Sequence, residues 1–115
     1  MDDVQLTIEL QALLDTLPQV YSQLIASKGQ EQWQKFQLDV FETDLADLHR
    51  RNAEANGSQY TEKSLQRDVK LNPEWKALKE DVLRQSEQVE ALELRREEWN
   101  RKKEVLLAMV KMRQN

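Results

Sequence analysis

The chain has no cysteine, one histidine, two glycines, two prolines and only 6% aromatic residues among 115. Each scarcity closes off a class of protein. Without cysteine there can be no disulfide framework, no thiolate zinc site and no thiol nucleophile. So little Gly and Pro leaves few tight turns, and helix becomes the default reading. His49 has no second ligand at a metal-binding spacing. No Gly-rich phosphate loop and no strand-turn-helix setting for a nucleophile occurs. Asp44 and Asp47, three residues apart, lack the Glu-x-x-His element of a carboxylate-bridged metal centre. No enzymatic activity, cofactor or metal is therefore expected. Nor does any run approach the roughly 20 apolar residues of a membrane span, and Met1-Asp2-Asp3-Val4 does not lead into a secretory leader. A soluble, cytoplasmic protein of one domain over residues 1–115 is expected.

What is present in abundance is charge, 33% of residues against 39% hydrophobic, with a formal net charge of −4. The sum hides an imbalance. Residues 1–49 hold nine acidic side chains against Lys28 and Lys35, net −7, while residues 50–115 hold fifteen basic against twelve acidic, net +3. Such segregation suits head-to-tail contacts between copies, or an acidic region facing one partner and a basic region another.

The apolar spacing divides the chain into helical segments. Over 1–29, Leu6, Leu10, Leu13, Leu14 and Leu17 recur at three and four. Thr16-Leu17-Pro18-Gln19 reads as a capping box that restarts the helix, and Gly29 as a C-cap. A long helix over 30–56 is predicted to bury Trp33, Phe36, Val40, Phe41, Leu45 and Leu48, with Gln34, Lys35, Asp39, Asp44 and Asp47 facing away. Asn56-Gly57 stops it, and Ser58 or Thr61 can cap a short helix within 58–71 that carries few apolar anchors, chiefly Leu65 and Val69. Asn72-Pro73-Glu74 opens a long helix over 73–113: N-cap, Pro in the first turn, and an acid complementing the helix dipole.

That last helix carries a heptad seam of Trp75, Leu78, Val82, Gln85, Val89, Leu92, Arg96, Trp99, Lys103, Leu106, Val110 and Arg113. Acid-first i,i+4 pairs, Glu80 with Arg84, Glu97 with Arg101 and Glu98 with Lys102, are expected on its exposed side. The seam can close on the helix over 30–56, or its apolar members (Trp75, Leu78, Val82, Val89, Leu92, Trp99, Leu106 and Val110) can join copies into a homo-oligomer. The predicted fold is all-α, a helical hairpin with a short basic helix and a long coiled-coil-like C-terminal helix.

Basic residues cluster at two places. His49, Arg50 and Arg51 end the first long helix, and Lys63, Arg67 and Lys70 follow one another at helical spacing on the short one, with Tyr60 near its start. Cations one turn apart can track a phosphate backbone, and an aromatic beside them can stack on an unpaired base. The cluster Arg95, Arg96, Arg101, Lys102 and Lys103 is interleaved with Glu97, Glu98 and Glu104 and reads as a structural helix surface.

Residues 45–113 resemble the UvsY-type recombination mediators of tailed phages. The likeness rests on Leu48-His49-Arg50-Arg51, on Tyr60-Thr61-Glu62-Lys63-Ser64 with Leu65, Val69 and Asn72-Pro73-Glu74-Trp75, and on Val89 to Glu97 with the ending Leu106-Leu107-Ala108-Met109. It implies a non-enzymatic protein in the bacterial host cell that binds single-stranded DNA and helps load a RecA-like recombinase. His49 and Arg51 would fall at DNA-contacting positions, and the last helix at the assembly segment. An alternative stays open: a phage inhibitor or adaptor that ignores DNA and presents Asp39, Glu42, Asp44 and Asp47 to a basic partner protein.

Overall fold

The structure, a computed structural model, describes residues 1–114. The chain is all-α, with α1 over Asp3–Ala55, α2 over Glu62–Leu71 and α3 over Pro73–Gln114. The N-terminus of α1 is fixed by Asp2 and Gln5 in reciprocal capping. The Gln5 N–H donates to Asp2 Oδ1 at 2.7 Å, and the Asp2 N–H to Gln5 Oε1 at 3.3 Å. This satisfies two of the amides that a helix start leaves free.

α1 is one helix of 53 residues and does not restart at Thr16-Pro18 or end at Gly29. The reason lies in where those two residues sit. Leu13 and Val20 hold the turns on either side of Pro18 against the core, while Pro18 itself is exposed. The carbonyl of Leu14, which Pro18 cannot serve, therefore lies on the solvent side of the helix. Gly29 keeps a negative φ, and a Cβ there would meet nothing within 4 Å. It is an ordinary helical residue rather than a left-handed cap.

The true C-terminus of α1 is at Asn56-Gly57. Gly57 has φ 68°, its N–H donates to the Glu54 carbonyl at 3.2 Å, and that of Ser58 donates to Ala53 at 2.8 Å. This pair of bonds around a left-handed glycine is the Schellman arrangement. Thr61 caps α2 in a box with Ser64, two reciprocal bonds of 3.0 Å each. Asn72 then serves two helices. Its N–H donates to Val69 at 3.1 Å to close α2, while its Oδ1 accepts from Glu74 at 2.8 Å and Trp75 at 3.1 Å to open α3.

The chain gathers into two compact units, residues 1–28 with 87–115, and residues 29–86. In the first, the N-terminal part of α1 pairs antiparallel with the C-terminal part of α3, with Leu6, Leu13, Val20, Leu24, Val89 and Leu106 buried. Ion pairs Lys28–Glu93 at 3.1 Å and Lys102–Glu9 at 2.6 Å, the contact of Arg113 with Asp3, and Tyr21 meeting Asn100 edge this interface. Lys102 thus turns to Glu9 instead of Glu98, and lies 4.9 Å from the Trp99 ring centroid. Of the expected i,i+4 pairs, Glu80–Arg84 forms at 3.3 Å.

In the second unit Leu38, Ala46, Leu65, Val69 and Val82 are buried. α2 is amphipathic enough to dock by Leu65 and Val69 alone, each such burial stabilising by about 1.5–3 kcal/mol. The Trp75 indole N–H donates to Glu42 at 2.7 Å and ties the start of α3 to α1. Two expectations change here. The packed face of α1 centres on Leu38 and Ala46 with Phe41 and Leu45 half-buried, leaving Trp33, Phe36, Val40 and Leu48 exposed. Gln34, expected to face away, is half-buried with its Oε1 enclosed.

The seam of α3 is the inward face. Val82, Val89 and Leu106 are 5%, 6% and 2% exposed, and Trp75, Leu78, Leu92, Trp99 and Val110 are half-buried. The seam thus packs within the chain, and five of its eight apolar members keep part of their surface exposed. Lys103 emerges into solvent, while Arg96 and Gln85 stay half-buried.

Candidate nucleic-acid interface

The six basic residues singled out from sequence all lie in the second unit, but the structure treats them differently. Lys63, Arg67 and Lys70 are exposed on one side of α2, opposite the buried Leu65 and Val69. The 3.6-residue period sorts them this way: positions 65 and 69 face inward, which turns 63, 67 and 70 outward. Together with Ser64 and Leu71 they line an open groove of ≈ 530 Å³. None of the three forms an ion pair among the described residues. Three ammonium or guanidinium groups spaced along one helix side can each meet a phosphate, and exposed Leu71 adds an apolar edge.

Arg50 is spent on the fold. It bridges Asp47 at 2.8 Å and Glu62 at 3.2 Å, clamping the last turns of α1 to the first turn of α2. The hydrogen bond and charge of Glu62 raise its pKa above the ordinary arginine value. A guanidinium already held by two carboxylates has little left to offer a phosphate. Arg51, next in sequence, is exposed and has no carboxylate partner among the described residues. His49 is half-buried with its Nε2 enclosed and unpartnered, so that nitrogen faces the protein and not a ligand. The structure thus groups Lys63, Arg67 and Lys70, keeps Arg51 accessible, and withdraws Arg50 and the His49 Nε2.

Tyr60, the aromatic at the start of this helix, is tethered as well. Its hydroxyl donates to Glu54 at 2.7 Å, and this bond raises the phenol above its ordinary pKa because ionisation would set two negative charges together. Sequence reasoning missed these tethers. Glu54 and Glu62 are visible only as acids near basic residues, and their geometry depends on the turn at Gly57.

Among the described residues no group of three or more acidic or histidine side chains could hold a metal ion, and no helix is long and apolar enough to cross a membrane. Compared with known proteins, the chain matches no family model, no curated protein and no solved structure.

Proposed function

We propose that this is a non-enzymatic mediator that binds single-stranded DNA, acts as a homo-oligomer in the cytoplasm of a phage-infected bacterium and assists the loading of a RecA-like recombinase. The observation that carries the DNA-binding step is the row of Lys63, Arg67 and Lys70 on α2, exposed and without a carboxylate partner among the described residues, with Arg51 also exposed at the end of α1. Backbone contacts by such a row are indifferent to sequence, as a mediator requires. The resemblance of residues 45–113 to the UvsY type supports the recombination setting.

Three or four phosphate contacts per subunit bind weakly at physiological salt, and repetition around an oligomer converts them into useful affinity. Assembly would draw on the half-exposed members of the α3 seam, Trp75, Leu78, Leu92, Trp99 and Val110. Replacing Arg51 and Lys63 together by Glu tests the site. We expect loss of oligonucleotide binding in fluorescence anisotropy with no change in the light-scattering mass. A double variant that binds as well as wild type would remove α2 from the interface.

A further inference from the structure

The second unit carries an exposed feature that DNA binding does not use. On α1, Trp33, Phe36 and Val40 follow at helical spacing on the side opposite buried Leu38 and Ala46, and they are 54%, 58% and 43% exposed. The Trp33 and Phe36 rings stack on each other with centroids 5.8 Å apart. Two large aromatics held together on the outer side of a helix form the kind of compact apolar anchor that dominates protein interfaces. They gain nothing for the core.

The surrounding charges define what covers them. Asp39 and Asp44 flank this stripe on α1, exposed and without an ion pair among the described residues. The other carboxylates nearby are engaged: Glu42 by the Trp75 indole, Asp47 by Arg50, and Glu31 by Lys35 at 3.7 Å. Lys35 is the only Lys or Arg between residues 29 and 49. A second copy meeting this face with its own would gather four unpaired carboxylates around one interface with no unpaired cation to offset them. A partner helix bringing cations together with a free apolar side would answer both features at once; α2 of a second copy has no such side to offer, its Leu65 and Val69 being buried.

We propose that the Trp33–Phe36–Val40 face of α1 is a docking site for a basic amphipathic helix of another protein, its apolar side on the two rings and its Lys or Arg residues on Asp39 and Asp44. The site is independent of the DNA reading, since it uses none of the α2 cations.

A fluorescein-labelled Leu/Lys amphipathic peptide of about 18 residues, long enough to hold a helix, is the probe, with a twin in which every Lys is Glu. Both are titrated with the intact protein at low salt. We expect the Lys peptide to bind, and the Glu twin to fail. Trp33→Ala with Phe36→Ala, and separately Asp39→Lys with Asp44→Lys, should each weaken binding by about tenfold or more. Lys63→Glu with Arg67→Glu should leave it unchanged while abolishing DNA binding, so the two sites fail separately. All positions are exposed, and unchanged thermal unfolding of each variant would exclude a folding defect. Equal peptide affinity for wild type and the α1 variants, or no binding at all, overturns the proposal. So does sedimentation of the protein alone if Trp33→Ala/Phe36→Ala dissociates a wild-type oligomer, which would give the face to a second copy.

Discussion

At the residue scale, what a basic or aromatic side chain can do is set by the nearest carboxylate. Arg50 and Arg51 are neighbours of the same type, yet Asp47 and Glu62 hold the first while the second has no carboxylate partner among the described residues. Type and spacing were legible in the sequence; pairing across the 56–61 turn was not, because it depends on the path the chain takes there. Tyr60 gives a direct check. Its bond to Glu54 favours the neutral phenol, so the stability it contributes is present below the ordinary tyrosine pKa and lost as pH rises through the raised folded value. In a Tyr21→Phe background, which leaves Tyr60 as the only tyrosine, we expect phenolate absorbance to develop above the ordinary range and to move down when Glu54 is replaced by Gln. Titration at the same pH with and without Glu54 would show the bond to be unimportant.

At the element scale, punctuation residues act only through the conformation they occupy. Asn56-Gly57 and Asn72-Pro73 were read correctly because several signals coincide at each: a left-handed glycine with two closing bonds, and an Asn that caps in both directions. Pro18 misled because sequence does not show that the turns around it are held by Leu13 and Val20, and Gly29 because a helical glycine and a left-handed cap look alike in sequence. The same ambiguity affected α1 beyond Gly29. Its apolar residues divide between two sides of one helix, Leu38 and Ala46 inward and Trp33, Phe36 and Val40 outward, and composition favoured the larger residues for the core. The two glycines should therefore respond in opposite directions. Gly57→Ala forces a side chain into the left-handed region and should destabilise by about 1 kcal/mol. Gly29→Ala fills open space in a helix interior and should stabilise by about 0.5–1 kcal/mol. Urea unfolding of the two variants compares them, and a shift in the same direction for both would mean that one of the two conformations is misassigned.

At the scale of the whole molecule, the segregation of charge matters more than its sum. A chain of net charge −4 is a poor candidate for coating nucleic acid. The cations, however, concentrate from residue 50 on, so before it nine acids face two lysines; there Glu42 and Asp47 brace the fold, and Asp39 and Asp44 form no ion pair among the described residues. The all-α class and the α3 seam were evident from the heptad spacing, but not how much of the seam packs within one chain, since the same apolar period serves either arrangement. Binding of a fluorescent single-stranded oligonucleotide by the wild-type protein, followed with its light-scattering mass across salt, decides whether the α2 cations serve DNA. With three or four contacts per subunit we expect uptake at low salt and a log–log salt slope of about −2 to −3 for each subunit engaged. A protein that remains free of DNA at low salt would leave Lys63, Arg67 and Lys70 as a solvated helix surface and end the mediator reading.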